Sequence, residues 1–259
     1  MDSEETKRPI GIFDSGMGGL TVLRECVKIM GNEDYIFYGD SFNAPYGVKS
    51  TEQVYRLSKK IVQLFLKKNV KAIVIACNTA TSASASRLRK EYPELPIIGL
   101  EPALKPAVLH KKNSTVLVMA TPLTLREEKF NLLAARFAED EQIIPLPCPG
   151  LVELIEDGHI DSPELDEYLE NLLSPYKDQK IDALVLGCTH YPHIKKAIMR
   201  HLSPGIRVYD GGEGTARETR RRLDVINLLN HEQKKGRVEI INSSDDKRLI
   251  KLSEMLLYR

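Results

Sequence analysis

The chain has 259 residues, enough for one large domain or for two modest ones that each bury a core. Its 42% hydrophobic and 28% charged residues are those of an ordinary soluble globular protein, and a formal net charge of +1 excludes a bulk attraction to nucleic acid or to a membrane. No apolar run approaches the ~20 residues that span a bilayer, and the first nine residues, mostly polar, lack the apolar stretch of a secretory signal. Four cysteines are too few for a disulfide framework in a chain of this length, so free thiols and a cytoplasmic setting are expected.

In chain order, short apolar runs that read as strands cover residues 10–13, 35–38, 72–76, 96–100, 115–119, 143–146, 183–186 and 207–209. Helical periodicity fills several gaps between them. Val54, Leu57, Ile61, Leu64 and Phe65 make one apolar stripe, and Leu165, Tyr168, Leu169 and Leu172 another. The tail adds a strand-like run at 238–241 and a last helix over 245–258. Strand–helix alternation of this kind implies βαβ units and parallel sheets.

The chain also repeats itself. Residues 71–79 end an apolar run in Ala-Cys77-Asn78-Thr79, and residues 182–190 end one in Gly-Cys188-Thr189-His190. Residues 10–13 with Asp14-Ser15 parallel 116–119 with Ala120-Thr121. Residues 96–100 parallel 207–209. The expected fold is therefore α/β: two similar three-layer domains with mainly parallel sheets, pseudo-symmetric, with the ligand in the cleft between them, where strand C-terminal ends converge.

Cys77 and Cys188 stand out because each ends a buried strand next to a predicted helix N-terminus, whose partial positive charge favours a thiolate. A buried cysteine is ordinarily just a small hydrophobe, and Cys26, in a helical pattern, and Cys148, in a Pro-rich turn, take that reading. The glycine-rich turn after the first strand, Asp14-Ser15-Gly16-Met17-Gly18-Gly19, lacks the spacing of a phosphate-binding loop. Asp14 either caps the following helix or serves as a carboxylate at a strand end. Residues 38–47 form either a plain turn or a loop whose N–H groups grip a carboxylate. Cys188-Thr189-His190-Tyr191-Pro192-His193 allows three readings: a zinc site using Cys188, His190 and His193; a nucleophilic cysteine with a histidine base; or a cysteine acid/base assisted by histidine. The second thiol at Cys77 favours the third, and no metal is expected. Arg217, Arg220, Arg221 and Arg222 read as a solvated helix face.

Taken together, Phe-Asp14-Ser15-Gly-Met-Gly-Gly, Tyr-Gly-Asp-Ser followed by Pro45-Tyr46-Gly47, Ala-Cys77-Asn78-Thr79-Ala and Leu-Gly-Cys188-Thr189-His190-Tyr-Pro resemble the glutamate racemases of the cofactor-independent aspartate/glutamate racemase superfamily. The motifs occur in the family's order and span nearly the whole chain. The resemblance implies a first domain of 1–100 plus 212–259 and a second of 101–211. It implies interconversion of L- and D-glutamate without a cofactor, D-glutamate being used for peptidoglycan; the expected partners are the small-molecule substrate and a second copy in a homodimer, with no nucleic acid and no membrane.

The resemblance also implies roles. Cys77 and Cys188 would be the two bases, Cys77 for D-glutamate and Cys188 for L-glutamate. Asp14 would assist Cys77 and, with Ser15, contact the amino group. His190 would assist Cys188, and Glu156 would support His190. Pro45, Tyr46, Gly47 and Thr189 would bind the side-chain carboxylate, and Asn78, Thr79, Thr121 and Thr124 the amino and α-carboxylate groups. The chain departs from relatives at Ser41-Phe42-Asn43, where Thr/Ser-Ala-Arg is usual, and at Gly150 and Glu153. Alternatives that the residues leave open are a racemase of aspartate or another acidic amino acid, and a non-catalytic binder of such molecules.

Overall fold

The structure, a computed structural model, describes residues 3–137 and 141–258. Every apolar run named above forms a strand: β1 (Ile10–Asp14), β2 (Tyr35–Gly39), β3 (Ala72–Ile75), β4 (Ile97–Gly99), β5 (Thr115–Ala120), β6 (Gln142–Pro147), β7 (Ala183–Leu186), β8 (Arg207–Asp210) and β9 (Val238–Asn242). The chain divides into two units, Met1–Glu101 with Gly212–Arg259, and Pro102–Gly211. The first holds a five-stranded sheet in the order β4-β3-β1-β2-β9, the second a four-stranded sheet in the order β6-β5-β7-β8, and every described pairing is parallel.

Strand order makes the internal repeat concrete. Reading β5, β6, β7 and β8 as counterparts of β1, β2, β3 and β4 turns one order into the other, and β9 is what the first unit has in addition. The central strands β1, β3 and β7 are buried along their whole length, as a parallel sheet covered on both faces requires. In the second unit Leu117, Met119, Leu184 and Leu186 face the helices Leu151–Glu156 and Pro163–Leu173, while Val116, Val118, Ala183 and Val185 face Leu104 and Phe130 on the other side. In the first unit Ile10, Ile12, Ala72 and Val74 pack with Leu20, Leu23 and Leu223, and Phe13 meets Phe65 of the helix Thr51–Lys67 on the opposite face. Each unit is thus three-layered.

Edge strands follow their own chemistry. β6 carries Pro145 and Pro147, tolerated because it pairs only with β5 and each missing N–H falls on the open side. The helix Thr51–Lys67 starts with a capping box: Gln53 N–H donates to Ser50 Oγ at 3.2 Å, and Ser50 N–H donates to Gln53 Oε1 at 2.9 Å. Its stripe is Val54, Ile61 and Phe65 with Tyr55, Ser58 and Val62, while Leu57 and Leu64 lie half-buried at its margin. The arginine cluster on Gly212–Val225 pairs with its own helix: Arg217 with Glu213, and Arg221 and Arg222 with Glu218.

Candidate active site

In the first unit the site grows from the ends of β1 and β3. Ala76 N–H donates to the Phe13 carbonyl at 2.7 Å, so Asp14 and Cys77 leave neighbouring strands side by side. Cys77 is the N-cap of the helix Asn78–Glu91, and its Sγ accepts the Ala80 N–H at 3.4 Å. A sulfur at the positive end of a 14-residue helix is well placed to carry negative charge. Ser15 Oγ lies 3.6 Å from that sulfur.

Asp14 is fully buried and does not cap the next helix, Leu20–Ile29, whose N-cap is Gly19. Its carboxylate instead accepts the Gly16 N–H at 3.1 Å, closing the glycine-rich turn on itself. That turn folds tightly back on the sheet: a Cβ on Gly19 would stand 2.6 Å from Asp14 Cβ and 3.1 Å from Ala76 Cβ. Asn78 and Thr79 are buried in the first turn of the cysteine's helix, and Asn78 Oδ1 accepts no hydrogen bond among the described residues. The Pro45-Tyr46-Gly47 segment follows β2 as a short 3₁₀ turn, with a cis bond between Ala44 and Pro45. Tyr46 points its hydroxyl inward, donating to Asp40 Oδ2 at 2.6 Å. Burial and the neighbouring Asp40, Cys77 and Asp14 push its pKa up, so it stays a neutral donor.

In the second unit Gly187 N–H donates to the Met119 carbonyl at 2.7 Å, the same bond one repeat later. It presents Cys188 beside Ala120-Thr121. Cys188 Sγ lies 3.6 Å from His190 Nδ1, and His190 Nε2 lies 2.5 Å from Glu156 Oε1. Burial works against an imidazolium here, but Cys188 on one nitrogen and Glu156 on the other outweigh it and hold the His190 pKa well above the ordinary value. Thr121 caps the helix Pro122–Arg126, accepting the Thr124 N–H at 3.3 Å, and the two hydroxyls are 2.9 Å apart. Thr189 is buried next to the cysteine.

One expectation needs correction. Cys188 does not begin an α-helix. The C=O of Cys77 receives an α-type bond from Thr81 N–H at 2.8 Å, but that of Cys188 receives a tighter one from Tyr191 N–H at 3.2 Å. Pro192, at the fourth position on, has no N–H to offer, so the chain turns as a 3₁₀ helix, Tyr191–Ile194. Histidine and glutamate stand where the other unit has a helix N-terminus. Cys26 and Cys148 are buried thiols, each pushed up to about 12 mainly by burial. Among the described residues no group of three or more His, Cys, Asp or Glu is arranged to hold a metal.

Sequence reasoning missed Asp40, which holds Tyr46, and Tyr191, which lies with Cys148 and Cys188 in one apolar cluster. Both sit inside motifs already singled out, but their partners are tertiary and leave no mark on local spacing.

Two α/β units with parallel sheets and a cysteine at a matched strand end in each define the class of fold, and comparison with known proteins gives the family. Residues 10–219 match the Asp/Glu/Hydantoin racemase family, to which this chain belongs. It is 49% identical over 254 residues to a glutamate racemase of Clostridium botulinum, covering 98% of both chains. A glutamate racemase of Francisella tularensis solved with D-glutamate matches with a TM-score of 0.85 at 30% identity, over 98% of this chain and 95% of that one. The Escherichia coli glutamate racemase, solved with L-glutamate and the activator UDP-MurNAc-ala, matches with a TM-score of 0.84 at 29% identity, over 96% and 95%.

Proposed function

We propose that this chain is a glutamate racemase that moves the Cα proton with two cysteines and no cofactor, supplying D-glutamate for peptidoglycan. The observation that carries the reading is the pair Cys77 and Cys188 at equivalent strand ends, each with its own polar partners.

Racemisation removes the proton from one face of Cα and returns one to the other. A thiolate on one face takes the Cα proton, and the C–H electron pair moves onto the α-carboxylate. A thiol on the opposite face then delivers its proton to Cα. The first sulfur is left as thiol and the second as thiolate, ready for the opposite enantiomer. Cys77 acts as base toward D-glutamate and Cys188 toward L-glutamate. Asp14 and Ser15 serve Cys77 and the substrate ammonium, while His190, held by Glu156, serves Cys188.

The difficult species is the carbanion, which fixed donors must stabilise as it forms. Asn78, Thr79, Thr121 and Thr124 are the candidates for the amino and α-carboxylate groups. Asn78 Oδ1, a buried acceptor with no donor among the described residues, suits an ammonium N–H. Pro45, Tyr46, Gly47 and Thr189 would take the side-chain carboxylate. Because the Tyr46 hydroxyl is committed to Asp40, its contribution would come from backbone N–H groups. The test is exchange in deuterated water: wild type should acquire deuterium at Cα from either glutamate enantiomer, and Cys77→Ser and Cys188→Ser should each lose racemisation. Full activity in either variant overturns the two-base assignment. A preference for aspartate in a substrate panel overturns the assignment of glutamate.

A further inference from the structure

The loop that carries Pro45, Tyr46 and Gly47 is held from two sides. On one side is Asp40, buried at the end of β2. Its carboxylate accepts from Tyr46 Oη at 2.6 Å and from Asn43 Nδ2 at 3.0 and 3.2 Å. Its N–H donates to the Asp14 carbonyl at 3.0 Å. The group that fixes Tyr46 is therefore itself tied to the strand end that presents Asp14.

On the other side is the end of β9, 201 residues away in sequence. β9 pairs with β2 in a register that sets Asn242 beside Gly39. Asn242 Nδ2 donates to Ser41 Oγ at 2.9 Å, while its Oδ1 accepts the Ser244 N–H at 2.9 Å, so the amide has only its donor end to offer the loop. Ser243 Oγ accepts the Phe42 N–H at 3.0 Å, and Ser243 N–H donates to the Gly39 carbonyl at 2.9 Å. Gly39 lets these parts close on one another, since a Cβ there would stand 2.7 Å from the Gly16 carbonyl oxygen and 3.1 Å from Asn242 Nδ2. Ser41-Phe42-Asn43, the triplet in which this chain departs from its relatives' usual pattern, supplies the partners for both sides of the frame.

We propose that Asp40, Asn242 and Ser243 are positioning residues that preorganise the Pro45–Gly47 loop, and that β9 thereby sets the affinity for the substrate's side-chain carboxylate without taking part in proton transfer. The proposal rests on the assignment of that loop as the carboxylate subsite. A loop already ordered need not be ordered by the substrate, so the frame acts on binding. The frame acts on the loop and not on the reacting atoms, so kcat should be spared.

The test uses the full chain with Asn242→Ala, Ser243→Ala, the double variant, Ser243→Thr and Ser41→Ala. Steady-state racemisation is measured from both glutamate enantiomers, with a thermal melt of each protein. The double variant should raise KM about tenfold with kcat within about twofold. Ser243→Thr, which keeps the acceptor, should restore KM to within about twofold of wild type. Asn242→Ala and Ser41→Ala should be non-additive in KM, because they break one bond. An unchanged KM, or a fall in kcat at constant KM, overturns the proposal. If the double variant fails to fold, the Ser243→Ala rise of about threefold and its rescue by threonine decide the matter. A wild type that exchanges no deuterium into glutamate defeats the functional reading; a wild type that does, with variants of unaltered KM, defeats only the frame.

Discussion

At the ends of their second strands the two units run in step and then part. Asp40 N–H donates to the Asp14 carbonyl at 3.0 Å, and Cys148 N–H donates to the Ala120 carbonyl at 3.0 Å. In the first unit that place holds a carboxylate that organises a loop; in the second it holds a thiol kept neutral by burial. The cysteine-bearing strands differ in the same manner. Cys77 has a helix N-terminus, Ser15 and the neighbouring Asp14, whereas Cys188 has an imidazole braced by Glu156. Backbone hydrogen bonds reproduce one frame twice, and the side chains hung on it supply negative-charge stabilisation by different means: a helix dipole in one unit, an ion pair in the other.

The largest effect should come from the cysteines themselves. If the two thiols carry the proposed proton transfer, replacing either by a hydroxyl, a far weaker acid, should lower kcat/KM by at least ~10³. If the two half-sites share one reaction, the losses are equal in both directions, because enantiomers in water have an equilibrium constant of unity. Racemisation at the wild-type rate in either variant would break the comparison outright.

Glu156→Gln should sharpen it. The amide keeps a contact to His190 but removes a charge that holds the imidazolium, so the His190 pKa should fall. Wild-type stability from this pair is complete below the unfolded histidine pKa, about 6.5, and is lost as pH rises through the higher folded value. In the variant that contribution should be smaller and its loss complete at a lower pH, because the folded value falls while the unfolded one does not. We expect kcat/KM to drop about 10²-fold in both directions. On the proposed assignment of Cys188 to L-glutamate and Cys77 to D-glutamate, the kinetic isotope effect should divide the two faces. With Cα-deuterated L-glutamate it should rise, since Cys188 now breaks that bond more slowly. With Cα-deuterated D-glutamate, deprotonated at Cys77, it should fall. Equal changes from both enantiomers would mean that Glu156 does not act through Cys188.

Much of this was legible in the chain itself. The strand runs needed only continuous burial, and the repeat needed only Ala-Cys77 and Gly-Cys188 at the ends of such runs. Asp14 was harder. Its two readings separate only when the turn closes on Gly16 N–H and the helix begins at Leu20, a choice made by the fit of Gly19 against Ala76. The missing helix after Cys188 was in principle readable from Pro192, because it turns on one absent N–H. Asn242 and Ser243 were not, since a bond across 201 residues depends on where β9 enters the sheet.

A third contrast lies at the opposite ends of the same strands. Lys71 N–H donates to the Pro9 carbonyl at 2.9 Å and Asp182 N–H to the Thr115 carbonyl at 2.9 Å, so the two residues are counterparts. Lys71 is wholly buried and paired with Glu33, which also accepts the Asn230 N–H at 2.8 Å. Asp182 is paired with the exposed Lys111 at 2.6 Å. Lys71→Met leaves Glu33 buried without its cation and should cost about 3 kcal/mol in denaturant unfolding. Activity per folded molecule should be unchanged. Asp182→Asn should cost much less, and its wild-type contribution should fade only as pH falls below the usual carboxylate range, because Lys111 and the Thr115 N–H hold the Asp182 pKa down. Similar losses in the two variants would show that burial is not what separates them.

The smallest expected effect separates catalysis from folding most cleanly. Cys77 is an N-cap, a position in which serine is the better residue, and its sulfur now accepts the Ala80 N–H at 3.4 Å. Cys77→Ser should therefore melt at or slightly above the wild-type temperature, a gain of no more than ~1 kcal/mol, while racemisation is lost. Cys188 caps no α-helix, because Pro192 prevents one from starting there. Cys188→Ser exposes the same chemistry to the same buried surroundings without a cap to improve, so it should gain nothing and lose a little packing. If the thiol at 77 is kept for its reactivity at the expense of the helix it begins, the two serine variants will be equally inactive and unequally stable. Equal stability would mean that the helix N-terminus at Cys77 does not distinguish the two half-sites.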